Sequence, residues 1–196
     1  MMISKKWLLA CTFIAASLSG TAQAQLMPRF GVKAGLGLAK MTGDITGSKF
    51  GTGFGFGGTL ILDMMPVSLV TDLYLARRVY GGTPYATKAW DLVIPVQARF
   101  NIMPMFYVQG GAFLSFGMGS QTVDDGINPP QSYDYANTTF GRTDFGLVFG
   151  AGASFPMGVG SLEVEGRFNW GLKDRNKLEV QSIKTMGMDL LVGFVF

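Results

Sequence analysis

The sequence contains no histidine and a single cysteine, Cys11. Catalytic dyads and triads built on imidazole are therefore excluded, and so are metal sites that depend on His or Cys ligands. Charge is also sparse, because Asp, Glu, Lys and Arg make up only 15% of the residues. No basic stripe suggests binding to nucleic acid. We predict no enzymatic activity, no catalytic residues, no cofactor and no metal site.

Long hydrophobic runs are missing as well, apart from one at the N-terminus. Lys5 and Lys6 precede an apolar stretch over residues 7–18, and small residues follow at 21–24. This order is typical of a secretory signal peptide. We predict a signal peptide over residues 1–24, cleaved after Ala24, followed by one domain over residues 25–196. No later segment has the 18 consecutive apolar residues that indicate a transmembrane helix.

Alternation with a period of two is the strongest pattern in the sequence. Counted back from Phe196, every second residue down to Met186 is large and apolar, whereas the intervening positions include Asp189 and two glycines. Successive side chains of a strand point to opposite faces, so one face of this segment is apolar and the other is not. The same pattern predicts eight strands, at 28–38, 51–63, 67–79, 89–100, 105–117, 141–155, 160–170 and 185–196.

The connections between these strands alternate between short and long. Those after the second, fourth and sixth strands are short and contain proline, which favours a tight turn. The predicted loops at 39–50, 80–88, 118–140 and 171–184 are longer and polar. An even number of strands joined in this way is typical of an outer-membrane barrel with periplasmic turns and extracellular loops. We therefore predict an all-β fold, an eight-stranded antiparallel up-and-down transmembrane β-barrel.

Two sets of side chains follow from this fold. The first set is charged and shares the strand face that is rich in glycine; it is predicted to form an ion-pair network in the lumen, from Lys33, Asp72, Arg78, Asp91, Arg99, Asp144, Glu163, Glu165, Arg167 and Asp189. The second set is aromatic and lies near the strand ends on the apolar face, as expected of a girdle at the two lipid–water interfaces. It consists of Phe30, Phe54, Trp90, Phe100, Phe106, Phe116, Phe155, Trp170 and Phe196.

Four segments of the chain carry recognisable motifs, at residues 30–38 (FGVKAGLGL), 90–100 (WDLVIPVQARF), 106–112 and 162–168. They resemble motifs of the outer-membrane β-barrel (porin-family) proteins of the Bacteroidetes. Residues 30–38 are similar to the "GVKAGLN" start of that family, and residues 90–100 to its "LEIPVLLKY" strand. Residues 106–112, FYVQGGA, resemble its "YVGAGP" strand, and residues 162–168, LEVEGRF, its "LEARY" strand. The third strand departs from the family pattern at Asp72. The resemblance implies a small eight-stranded barrel in the bacterial outer membrane, reached by Sec-type export, whose terminal Phe196 is read by the barrel-assembly machinery.

The near balance of charge in the lumen favours a self-paired network over a selective pore. We predict a non-enzymatic outer-membrane protein, porin-like or structural, that contacts membrane lipid. The segment 117–140 is a possible site for an extracellular partner, through Tyr133, Tyr135 and Asn137. Two alternatives stay open. One is a narrow channel for ions or very small solutes, and the other is a secreted lipocalin-like carrier of an apolar ligand.

Overall fold

The computed structural model describes residues 27–43, 47–64, 66–81, 86–124, 129–134, 141–175 and 182–196. The predicted signal peptide therefore lies outside the described residues. The described chain consists of strands and their connections, with bounds β1 Met27–Gly43, β2 Lys49–Met64, β3 Val67–Gly81, β4 Ala86–Asn101, β5 Phe106–Asp124, β6 Gln131–Asp134, β7 Thr143–Met157, β8 Gly160–Gly171 and β9 Ile183–Val195. Within these ranges, no helix is long and apolar enough to span a membrane.

Antiparallel pairing closes the sheet into a barrel. Each of β1 to β5 pairs with the next strand, β5 also pairs with β7, β7 pairs with β8, and β9 pairs with both β8 and β1. The closing seam runs from Gly31 opposite Val195 to Gly43 opposite Ile183. Since a closed barrel leaves no unpaired edge among its wall strands, every wall strand has two hydrogen-bonded neighbours. The prediction of an eight-stranded antiparallel barrel is confirmed.

Several predicted loop bounds are wrong in the same direction, whereas the strand predicted at 141–155 begins two residues later, at Thr143. β1 continues to Gly43, β3 to Gly81 and β5 to Asp124, so each strand runs further toward the loops than predicted. The segment 117–140, predicted as a partner site, contains the end of β5 and the whole of β6, which pair from Ser120 opposite Asp134 to Val123 opposite Gln131. The alternation of apolar outward and polar inward residues is lost at these strand ends, where Ala39, Met41 and Tyr80 pack on the inner side while Lys40 and Thr42 face outward. Backbone pairing extends past the point where alternation is visible, because the ladder needs only N–H and C=O groups.

The two faces of the wall differ sharply in exposure. Outward-facing Leu36 is 69% exposed and Leu190 58% exposed, whereas inward-facing Glu163 and Glu165 are each 1% exposed. The apolar side chains therefore surround the barrel and the charged ones fill it. A secreted lipocalin-like carrier needs the reverse arrangement, so that alternative is wrong for this chain.

Candidate functional site in the lumen

One group of charged side chains fills the half of the lumen nearer the short turns. We call it the turn-side network; it consists of Lys33, Asp72, Arg99, Glu163, Glu165 and Arg167. Arg99 donates two hydrogen bonds to Glu163, from Nη1 to Oε1 at 2.7 Å and from Nη2 to Oε2 at 3.0 Å. Arg99 also lies over the ring of Tyr107, 3.8 Å from its centroid. This paired, planar geometry is the strongest form of ion pair available to arginine.

Lys33 and Arg167 hold the remaining carboxylates of this network. Lys33 Nζ is 3.0 Å from Glu165, 3.7 Å from Glu163 and 3.8 Å from Asp72. Arg167 Nη2 is 2.6 Å from Asp72 and 2.7 Å from Glu165. The six side chains carry three positive and three negative charges, so the network is formally neutral. Buried charges are tolerated when they are paired and hydrogen-bonded in this way.

Two glutamines extend the turn-side network. Gln109 accepts a hydrogen bond from Arg99 Nε at 3.0 Å and donates to Glu165 at 2.6 Å and to Gln97 at 3.2 Å. Gln97 and Gln109 are buried, on the inner faces of β4 and β5. The predicted ion-pair network included charged residues only and therefore left out both glutamines. Gln97 shares the inward-facing positions of Asp91 and Arg99 in the sequence, and Gln109 could have been placed in the same way.

An apolar septum lies above this network. It consists of six buried side chains in mutual contact: Tyr74, Ala76, Val93, Phe113, Val148 and Leu191. The order of residues along β3 shows its place, because Asp72 of the turn-side network precedes Tyr74 and Arg78 follows Ala76. A second apolar cluster, Ile61, Val70 and Val195, occupies the turn end of the lumen. The lumen is thus divided into layers of alternating polarity.

A second charged group lies on the loop side of the septum. This loop-side network consists of Arg78, Asp91, Asp144, Arg175 and Asp189. Its arginines pair at longer range than those of the turn-side network: Arg78 Nη2 is 3.7 Å from Asp189 and Arg175 Nη2 is 3.9 Å from Asp91, against 2.6–2.7 Å for Arg99 and Arg167. Asn169 donates to Asp189 at 2.6 Å. Three carboxylates face two guanidinium groups, so this half of the lumen carries a formal surplus of one negative charge.

Arg175 was not among the predicted lumen residues, because it falls in a predicted loop. Its side chain is 1% exposed. Its Nε donates to the carbonyl oxygen of Gly141 at 3.0 Å and its Nη1 to the Tyr80 hydroxyl at 3.3 Å. The predicted set indicated that a cation was missing on the loop side, because Arg78 was the only positive charge there to balance Asp91, Asp144 and Asp189.

The structure places all ten predicted lumen residues on the inner face of the wall. It divides them between two layers, six in the turn-side network and four in the loop-side network. The nine predicted girdle residues all lie on the outer face. Phe54 of β2 and Trp90 of β4 pack edge to face across the intervening β3, with ring centroids 5.6 Å apart. No cluster of acidic, His or Cys side chains within the described ranges could hold a metal ion.

A closed barrel with an apolar outer face and a charged, side-chain-filled lumen defines an integral β-barrel membrane protein. The chain belongs to the family described as the outer membrane protein beta-barrel domain, which matches residues 8–196. It is therefore a bacterial outer-membrane protein. No curated protein matches the chain.

Solved structures share the fold at low sequence identity. Ail, the attachment invasion locus protein of Yersinia pestis, is 14% identical with a TM-score of 0.50; the match covers 87% of this chain and 100% of Ail. Neisserial surface protein A is 17% identical with a TM-score of 0.50; the match covers 84% of this chain and 95% of that protein. At this level of identity the likeness concerns the fold alone.

Proposed function

We propose that this protein is a non-enzymatic outer-membrane barrel whose lumen is closed by its own side chains and whose exposed loop-side strands make contacts outside the cell. The observation that supports this most directly is the turn-side network. Its six charged side chains reach across the lumen from β1, β3, β4 and β8 and balance one another. The septum then places aromatic and aliphatic side chains across the same lumen. Each layer opposes the passage of hydrated ions.

The experiment that tests closure is single-channel recording in a planar bilayer. The barrel would be refolded into detergent, checked by its heat-dependent shift in gel mobility, and inserted at known protein density. We expect no steady conductance steps from the unmodified barrel. Steps that appear reproducibly and change size in an Arg167→Met variant would instead make the protein a channel.

The narrow-channel alternative keeps one specific observation in its favour. In the loop-side network, Arg78 Nε, Asp91 Oδ1 and Asp144 Oδ1 are buried without hydrogen-bond partners among the described residues. Buried polar atoms of this kind are usually bonded to water. A hydrated loop-side half is what a channel entrance would need. The turn-side layer also has such atoms, Asp72 Oδ1 and Gln97 Nε2 among them, but its arginine–carboxylate contacts of 2.6–2.7 Å argue against a passage through the whole lumen.

The β5–β6 hairpin is the part of the protein that we propose for external contacts. Gln131 to Asp134 are all exposed, and the ring of Tyr133 is 39% exposed. Tyr133 donates a hydrogen bond to the side chain of Gln131 on the same hairpin. Tyr135 and Asn137, predicted to take part, lie outside the described residues. The resemblance to porin-family barrels of the Bacteroidetes remains a prediction and names no partner.

We also propose that the barrel-assembly machinery reads the C-terminal strand through Phe196. This side chain is 64% exposed on the outer face, its ring packs edge to face on Phe194, and its N–H donates to the carbonyl oxygen of Phe30 at 2.7 Å. We expect Phe196→Asp to reduce the amount of folded barrel in the outer membrane several-fold. The measurement is the heat-shifted band in outer-membrane fractions, by immunoblot.

The matched control is Phe106→Asp, which puts the same charge in the turn-side aromatic belt but far from the C-terminus. Phe106 is also outward-facing, at 51% exposed. A charge near the interface costs little, about 0–1 kcal/mol, so this variant should assemble nearly normally. Equal losses in the two variants would show that lipid burial, and not a C-terminal signal, limits assembly.

A further inference from the structure

The outer face carries an apolar groove of about 740 Å³ at the middle of the barrel. Its walls are large side chains of β1, β8 and β9, and its residues include Leu36, Leu38, Gly166, Phe168, Met188 and Leu190. Gly166 opens the groove because it holds no side chain at an outward-facing position between Val164 and Phe168. A Cβ added at Gly166 would meet only the Ala151 carbonyl oxygen, at 3.9 Å. The space outside Gly166 is therefore not filled by other protein atoms, and close packing of the strands does not require a glycine there.

Basic side chains stand on the loop side of this groove. Lys40 is the next outward-facing residue after Leu38 on β1, about 7 Å farther along the strand. Lys184 lies on β9, opposite Thr42, while Met186 lies opposite Lys40. The two lysines are therefore diagonal neighbours on one face of the wall, with Cα atoms roughly 7–8 Å apart.

Two further polar groups border the same region. Thr52 is outward-facing and lies opposite Leu38, so its hydroxyl is at the top of the groove. Arg77 is exposed on β3, opposite Phe54 on one side and Trp90 on the other, at the level of the loop-side aromatic belt. Lys40, Arg77 and Lys184 thus give this face a basic rim where lipid headgroups lie.

Asp174 places a carboxylate near Lys184, since it accepts a hydrogen bond from the Ile183 N–H at 2.9 Å, but the strands themselves bring no described acidic side chain to this rim. The outward-facing positions described on β1, β2, β3 and β9 include no Asp or Glu. None of the three cations is within ion-pair distance of a carboxylate that the structure describes. Lys40 Nζ instead lies 4.8 Å from the ring centroid of Phe50, which holds it against the wall. By contrast, Lys88 near the same end is paired with Asp124 at 3.2 Å.

We propose that this face binds an anionic lipid, with a phosphate-bearing headgroup at Lys40 and Lys184 and an acyl chain in the groove below. Charge complementarity selects the headgroup, since Lys and Arg near a membrane surface attract anionic lipids. The apolar groove accepts any saturated chain, so specificity comes from the cations above it. The occupant is a lipid and not a soluble phosphate, because the site joins a basic rim to a groove that only hydrocarbon fills favourably.

Native mass spectrometry of the refolded, full-length mature barrel in detergent tests this site. The probes are dipalmitoylphosphatidylglycerol, dipalmitoylphosphatidylcholine with the same chains, and glycerol phosphate with none. We expect one phosphatidylglycerol molecule to remain bound where phosphatidylcholine does not. A K40Q/K184Q double variant should lower phosphatidylglycerol affinity by roughly 30-fold, because each cation contributes about fivefold. The matched control Lys88→Gln should leave the affinity unchanged.

The groove is tested by a pair of glycine substitutions. Gly166→Leu should fill the groove and lower phosphatidylglycerol affinity by roughly tenfold while the thermal unfolding temperature stays unchanged. Gly58→Leu is the control, because Gly58 is also outward-facing with free space around it but lies in a separate groove of about 420 Å³ bordered by Phe30 and Leu73.

Three results would overturn the proposal. They are equal retention of the two lipids by the unmodified barrel, unchanged affinity in the lysine variant, and displacement of the lipid by an equal concentration of glycerol phosphate. The last result would reduce the site to a simple anion site. The unfolding temperature of each variant shows that the barrel is folded, so loss of binding cannot be mistaken for loss of structure.

Discussion

Replacing Arg99 by methionine is expected to lower the free energy of unfolding of the barrel by about 3–5 kcal/mol. Arg99 makes both of its Nη hydrogen bonds to Glu163, and both side chains are almost completely buried. Methionine fills similar volume but leaves the carboxylate with only part of its partners, Lys33 at 3.7 Å and the Tyr107 hydroxyl at 3.4 Å. The measurement is urea-induced unfolding of the refolded barrel in lipid vesicles, followed by tryptophan fluorescence and gel mobility.

A double-mutant cycle separates the ion pair from loss of packing. Replacing Glu163 as well, in R99M/E163Q, removes the unpaired charge, so the double variant should be more stable than the sum of the single changes predicts, by roughly 0.5–3 kcal/mol. Lys88→Met is the control, since Lys88 and Asp124 are about one-third exposed and such pairs contribute about 1 kcal/mol at most. Equal effects of Arg99→Met and Lys88→Met would mean that the turn-side network does not stabilise the barrel.

Gly152→Leu is expected to destabilise the barrel by roughly 1–3 kcal/mol, because it overfills the lumen. A Cβ at Gly152 would lie 2.5 Å from the ring of Tyr107, directly opposite on β5, and 2.6 Å from the carbonyl oxygen of Val164. The ring cannot move away without leaving Arg99, on which it stacks at 3.8 Å. The effect should therefore reach the ion pair between Arg99 and Glu163. It is measured by the same urea unfolding.

The same leucine on the other face of the wall is the matched control. Gly166 lies on the neighbouring β8 but faces outward, with its nearest atom 3.9 Å from an added Cβ, so Gly166→Leu should be nearly neutral. A second test is Gly152→Leu in a Tyr107→Ala background. Because the ring is absent there, the substitution should lower the free energy of unfolding by less. An unchanged loss of unfolding free energy would assign the strain to the Val164 backbone instead.

The strands of the barrel wall and the direction of their side chains could be predicted from the sequence, because the two faces of the wall have different surroundings. Lipid outside and a polar lumen inside force a period of two onto each strand, and Phe168 beside Arg167 is enough to show which face is which. Even Ile61, whose apolar side chain breaks the alternation of β2, keeps its inward-facing position in the strand. It is fully buried there against Val70 and Val195. Period and face are local properties, so single strands reveal them.

The division of the lumen into layers could not be predicted in the same way. It depends on the register between strands, which decides that Arg99 of β4 meets Glu163 of β8 while Asp91 of the same strand meets Arg175. Register across a tilted barrel is a property of the closed sheet. β6 was missed for another reason: four exposed polar residues carry no alternation, and only pairing with the end of β5 makes them a strand.

The turn-side network joins residues that are very distant along the chain. Lys33 and Glu165 are 132 positions apart, Asp72 and Arg167 are 95 apart, and Arg99 and Glu163 are 64 apart. A half-formed sheet entering the bilayer would carry these charges before their partners arrived, and unpaired charge inside a membrane is costly. Insertion and closure should therefore occur as one cooperative event with a high kinetic barrier. The same ion pairs that hold the finished barrel closed make its spontaneous assembly slow, which gives the cell a reason to catalyse that step.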